Sequence, residues 1–178
     1  WEQQINLLQG LLGEYDGQIY FEFNVPRMGK RADVILIIDA VVFVVEFKVG
    51  EKAVNRADLN QAWDYALDLK NFHEASHDAV IVPMLFPTGF EGGDLEIGKV
   101  SDDGVWEPVT VCRNTFGEAL NYFLRLNDAS APISSSWIES SYKPTPTIIE
   151  AARSMYSQHS VHEIIRSDAG ARNISETS

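Results

Sequence analysis

The sequence predicts an α/β protein with a mixed central sheet flanked by helices. Two runs, 32–38 and 41–47, are nearly continuous in Val, Ile and Phe, and only Asp39 and Ala40 stand between them. Such runs are covered on both faces, so they belong in the middle of a sheet, and a two-residue gap makes them a hairpin. Stretches of helical period lie before and after this hairpin, and a third apolar run, 79–86, ends at Pro87. The predicted order is therefore α-β-β-β-α-β, followed by extra strands and a helix.

Each element has its own signal. Residues 2–12 carry Leu7, Leu8, Leu11 and Leu12 at helical spacing. Residues 18–25 alternate, with Ile19, Phe21, Phe23 and Val25 on one face and Tyr20, Glu22 and Asn24 on the other. A helix is expected over 58–74, capped by Asp58, with Leu59, Ala62, Ala66, Leu69 and His73 in one stripe. Loop-rich sequence follows from 89 to 104, with a short strand expected over 95–100 and another over 105–111. Residues 116–126 form a helix, with Thr115 as its cap. The Ser, Ala and Asp content of 127–136 suggests a linker, and 147–156 a short helix. The domain expectation is a body over 1–128 and a linker-like segment over 129–178.

The chain has 178 residues, 45% of them apolar and 22% charged, which suits a soluble globular protein with a core of its own. The single cysteine, Cys112, excludes an intrachain disulfide framework, and no basic-then-apolar leader is visible at the N-terminus. A cytoplasmic setting without membrane attachment is expected. The chain opens on Trp1 rather than Met, so a longer parent protein is expected. Net charge is −12, unlike a typical nucleic-acid binder. Between Arg27 and Arg56, however, six basic residues face four acidic ones. This basic edge, with Lys30 and Arg31, can contact phosphate because distant charges are screened at physiological salt.

Acid placement inside the apolar hairpin carries the chemical signal. With an even loop centred between Asp39 and Ala40, opposed residues sum to 79, so Asp33 faces Glu46. Two carboxylates at that spacing repel unless a cation sits between them. Mg²⁺ binds through one or two carboxylates and keeps waters for substrate. Lys48 follows Glu46 by two and projects from the same face, where it can orient an attacking water or neutralise developing charge. An acid followed two positions later by Lys is ordinarily a solvated surface pair. Here both close an apolar run, where polar groups need partners or a function. A second hairpin centred near Arg27 and Met28 would set Glu22 opposite Asp33 and add a third carboxylate.

Asp33 followed by Glu46-Phe47-Lys48, on an α-β-β-β-α-β order, resembles the PD-(D/E)XK nuclease superfamily. Gln61-Ala62-Trp63-Asp64-Tyr65 is similar to the Gln-x-x-x-Tyr element of its RecB-like members. The resemblance covers roughly residues 1–90, and Ala32 stands where the pattern has Pro. It implies a restriction-endonuclease-like fold and Mg²⁺ (with Mn²⁺ as substitute) on Asp33, Glu46 and the Phe47 carbonyl; Glu22 is offered as an additional ligand by the second hairpin's register alone. The resemblance implies Lys48 as the water-activating residue, Gln61 and Tyr65 as supports or DNA contacts, and hydrolysis of DNA phosphodiester bonds. Gly29-Lys30-Arg31-Ala32-Asp33, Asp64-Tyr65-Ala66, Asp68-Leu69 and Phe72-His73 also resemble the segment preceding the motor in a bacterial P-loop helicase family. A downstream helicase or ATPase partner is the implied context. No G-x-x-x-x-G-K-[ST] occurs in this chain.

Two other readings compete. The same fold without activity would be a silent nucleic-acid-binding or docking module. His73-Glu74-Ala75-Ser76-His77 matches the H-E-x-x-H zinc metalloprotease pattern, which requires both histidines on one face of a continuous helix. Cys112 is expected to be buried and structural, Trp63 to pack on the sheet, and His159 and His162 to carry no metal spacing.

Overall fold

A computed structural model describes residues 2–25, 27 and 29–157. Its first compact unit runs from Trp1 to Lys143 and its second from Pro144 to Ser178. In the first unit the order is α1 (Glu2–Leu12), β1 (Gln18–Asn24), β2 (Arg31–Ile38), β3 (Val41–Lys48), α2 (Arg56–Phe72), β4 (Val80–Pro87), β5 (Val109–Thr110) and α3 (Phe116–Leu126). In the second unit, residues 146–157 are helical. His159 and His162 lie outside the described residues.

The five strands form one mixed sheet in the order β1-β2-β3-β4-β5. The β1–β2 and β2–β3 pairs are antiparallel, and β3–β4 and β4–β5 are parallel. The expected hairpin register is the observed one: Ile38 pairs with Val41 and Val34 with Val45. The turn is two residues long, with Asp39 at φ 50°. Asp tolerates this left-handed conformation better than most side chains, so Asp-Ala can replace the commoner Asp-Gly.

Both sheet faces are buried, as the uninterrupted apolar strands require. Val41, Phe43, Val45 and Phe47 of β3 share one cluster with Leu8 of α1 and Phe116, Leu120 and Phe123 of α3. Val42 and Val44 share the other with Tyr65, Ala66 and Leu69 of α2 and with Trp137. Burying a side chain such as Leu69 contributes about 1.5–3 kcal/mol.

Several boundaries differ from expectation for local reasons. Asn55, not Asp58, caps α2, its side chain accepting from the Ala57 amide at 2.9 Å. Thr115 gives no side-chain cap to α3; its hydroxyl oxygen instead accepts from the Cys112 amide at 3.0 Å. No strand forms over 95–99. Val100 makes only an isolated bridge to Trp106. Trp63, expected on the sheet, is 36% exposed on α2. Residues 129–143, expected as linker, belong to the first unit. Ile133 donates its amide to the Asp39 carbonyl, Trp137 is fully buried, and Lys143 donates to the Phe72 carbonyl. No helix among the described residues is long and apolar enough to cross a membrane.

Candidate active site

The sheet and α2 bring Asp33, Glu46, Lys48, Gln61 and Tyr65 together at one rim. Side chains alternate along β3, so Glu46 and Lys48 follow Val42 and Val44 onto the α2 side. Gln61 and Tyr65 are one helical turn apart on the α2 face that meets them.

The network is continuous. Lys48 Nζ donates to Glu46 Oε1 at 3.2 Å and to Gln61 Oε1 at 3.1 Å. Gln61 Nε2 donates to Glu46 Oε1 at 2.8 Å and to the Tyr65 hydroxyl at 2.9 Å. An ammonium only donates and a carboxylate only accepts, so one orientation of the Gln61 amide satisfies both neighbours. Asp58 adds an ion pair to Lys48 at 3.4 Å. Its sequence signal was only its place three residues before Gln61, which also suits a helix cap.

At Asp33 the regular ladder gives way. Phe21 pairs with Val34 and Phe23 with Ala32, as the expected register predicts, but Glu22 and Asp33 between them take no strand partner. Glu22 has φ 51°. That conformation costs an L-residue about 1–2 kcal/mol, a local strain of the kind that gathers at functional sites. The hydrogen-bonded pairing of β2 with β3 stops at Val34 and Val45. Beyond it the Phe47 amide is bonded at 2.9 Å by the Asp33 carboxylate, which substitutes for a main-chain acceptor. The Lys48 carbonyl accepts from Thr88 on the β4 side. By strand alternation the Phe47 carbonyl therefore points toward β2, where Asp33 lies.

Electrostatics marks the two acids as coupled. Glu46 is 4% exposed, and its Oε2 has no hydrogen-bond partner. Burial, then the negative charge of Asp33, push its carboxyl up to about 7. Asp33 is also raised, first by burial, against the opposing pull of the Phe47 amide and Lys48. Burial alone would lower Lys48, but Glu46 and then Asp58 outweigh it and hold the ammonium above its ordinary value. Burial likewise raises Tyr65.

Glu22 influences Asp33 by charge, yet its own carboxylate pairs with Arg31 at 3.4 Å near the surface. Among the described residues no group of three or more His, Cys, Asp or Glu could hold a metal. The expected triple-carboxylate arrangement is thus reduced to the pair Asp33 and Glu46. Lys30 and Arg31 are exposed at the start of β2.

The H-E-x-x-H segment does not have the geometry its chemistry needs. His73 ends α2 in extended backbone, and Glu74–Ser76 is a short 3-10 turn. Glu74 is held by Lys143 and Ser141. His73 Nδ1 lies 2.8 Å from Ser76 Oγ, and burial, then His77, pull its pKa down to about 4. Cys112 is buried, as expected.

One buried acid escaped sequence reasoning. Asp68, on the same α2 face as Gln61 and Tyr65, accepts from the Arg27 amide and from Arg27 Nε, each at 3.0 Å. The Arg27 guanidinium also lies over the Phe72 ring at 5.0 Å. Asp68 thereby fastens the β1–β2 loop beside the site. Asp68→Ala is expected to cost about 2 kcal/mol and to speed amide exchange across residues 25–31, measurable by hydrogen–deuterium exchange.

Comparison of the chain with protein-family models, curated proteins and solved structures returns no match.

Proposed function

We propose that this chain is a metal-dependent nuclease domain of restriction-endonuclease-like design, hydrolysing phosphodiester bonds of DNA. The carrying observation is Glu46: a buried carboxylate, repelled by Asp33, with one oxygen left unbonded. Lys48 meets only its other oxygen, so the open Oε2 beside Asp33 leaves a place for a further cation. The donors fit Mg²⁺, which takes one or two carboxylates and fills its remaining positions with water. Asp33, Glu46 and the Phe47 carbonyl would hold it, and it would supply Lewis-acid polarisation of the scissile phosphate.

The remaining work falls to the chain's own side chains. Lys48 stands beside the carboxylates to position a water and to offset charge that develops on the phosphate. Gln61 bridges Lys48 and Glu46, so both heads keep a fixed relation. Tyr65 accepts from Gln61 and anchors that bridge in the core. Lys30 and Arg31 offer phosphate contacts on the exposed approach. A downstream helicase motor is the proposed context for such a domain.

The test is a nuclease assay on single- and double-stranded DNA with Mg²⁺ or Mn²⁺. Lys48→Ala should lower the rate at least about a hundredfold. Equal cleavage by both proteins would remove the assignment of Lys48. Mn²⁺ uptake and DNA binding without cleavage would favour the silent module.

A further inference from the structure

On the sheet face opposite α2, a cleft of about 710 Å³ opens between α1, the end of β4 and the segment before α3. Its volume is in the range of small-ligand sites. Gln4 lines it and is about nine-tenths buried. Its amide is not among the buried side-chain atoms that lack a partner, and with Gln3, Asn6 and Arg113 it gives the cleft a polar lining. Leu7 and Leu11 supply apolar walls. Among the described residues that line it there is no carboxylate. Val49, the residue after Lys48, also lines it, and Thr88 binds the Gly50 amide at 2.8 Å. Cleft and carboxylate pair thus share the same end of β3, on opposite faces of the sheet.

We propose that this cleft takes one base of a single-stranded nucleic acid whose backbone passes round the end of β3 from the carboxylate pair. The inference rests on the hydrolytic reading above and names how that site would hold its substrate. Carboxamides present a donor and an acceptor side by side, the pattern that complements a base edge. The leucines contact the base, and Arg113 takes an adjacent phosphate. A chain of net charge −12 repels a polyanion at long range, so it needs such short-range contacts. Gly10 lies on the cleft wall, and a Cβ added there would meet no atom within 4 Å. The position is therefore free to be plugged without disturbing the core.

Anisotropy of a fluorescein-labelled 12-mer of deoxyadenosine, against a base-free 12-mer, tests this in EDTA so that no cleavage occurs. Wild type should bind the base-bearing strand about tenfold or more tightly. Gln4→Leu and the plug Gly10→Phe, each confirmed folded by circular dichroism, should remove that preference. Arg113→Ala should weaken both strands. Equal binding of the two strands by wild type, no binding of either, or an undiminished preference in both Gln4→Leu and Gly10→Phe would overturn the inference. The hydrolytic reading fails separately, if the base preference is present but Mg²⁺ brings no cleavage.

Discussion

In metal-free buffer at pH 8, Glu46→Gln is expected to be more stable than wild type by about 2–3 kcal/mol. At pH 5 the two should nearly coincide. Glu46 sits at about 7 in the folded chain against an ordinary value of 4.5, first because it is buried and next because Asp33 is beside it. A raised carboxyl means that the folded state holds its proton longer than the unfolded state does. Between pH 4.5 and 7 the folded chain therefore binds more protons, and stability falls as pH rises through that window. The magnitude follows from about 1.36 kcal/mol per unit, reduced for solvent screening at the rim. Asp33 is shifted in the same direction and adds to the slope. For a chain of this size the difference is roughly 5 °C or more in Tm. The substituted amide can still accept from Lys48 and Gln61, so the variant loses charge rather than contacts. Added Mn²⁺ should raise the Tm of wild type at pH 8 and leave that of the variant unchanged. Thermal unfolding from pH 5 to 8, with EDTA and then with Mn²⁺, reads both effects. A variant less stable than wild type at pH 8, or an equal response to Mn²⁺, would count against a cation-completed site.

Trp137→Ala should cost about 3–5 kcal/mol, the usual penalty for emptying a large aromatic site. Trp137 is fully buried. It stacks with Tyr20 at 5.6 Å, lies 5.1 Å from Phe23 and 4.3 Å from His73, and donates to Ser76 Oγ at 2.9 Å. It thus ties the segment after α3 to β1 and to the end of α2. Trp63→Ala on the exposed side of α2 should cost less than about 1 kcal/mol. The same contacts predict that a chain ending at residue 128 is far less stable than one ending at Lys143. Urea denaturation monitored by circular dichroism separates these cases. Comparable midpoints for the 128 and 143 chains would mean that the segment contributes little.

The β-hairpin and the acids on it were legible because the side-chain period in a strand is two and the turn is two residues long. Once the turn is placed, every opposed pair as far as Val34 and Val45 is fixed, and Asp33 and Glu46 are the next residues beyond them. Gln61 and Tyr65 were picked out by the resemblance to a Gln-x-x-x-Tyr element, and their four-residue spacing put them on one helix face. Asp58 and Asp68 were not, because an acid on an amphipathic helix looks the same whether it faces water or a buried partner. Trp137 was hidden for the opposite reason. Its neighbours Ser134, Ser135 and Ser136 have the composition of a linker, and one anchoring indole leaves no periodicity. The strain at Glu22 was invisible too, since the flanking register is undisturbed and nothing in the sequence requires a left-handed Glu.

The bond from the Phe47 amide to Asp33 has an evolutionary consequence. An aspartate there closes the seam where two strands part, so a relative without the proposed hydrolysis would still be held to a short acceptor side chain. Glu46 has no comparable architectural duty, and its ionisation weakens the fold. In a retired copy of this domain, position 46 should drift first, toward an amide or a hydrocarbon. The residue found at 46, more than the one at 33, would then distinguish relatives that keep the proposed activity from those that do not.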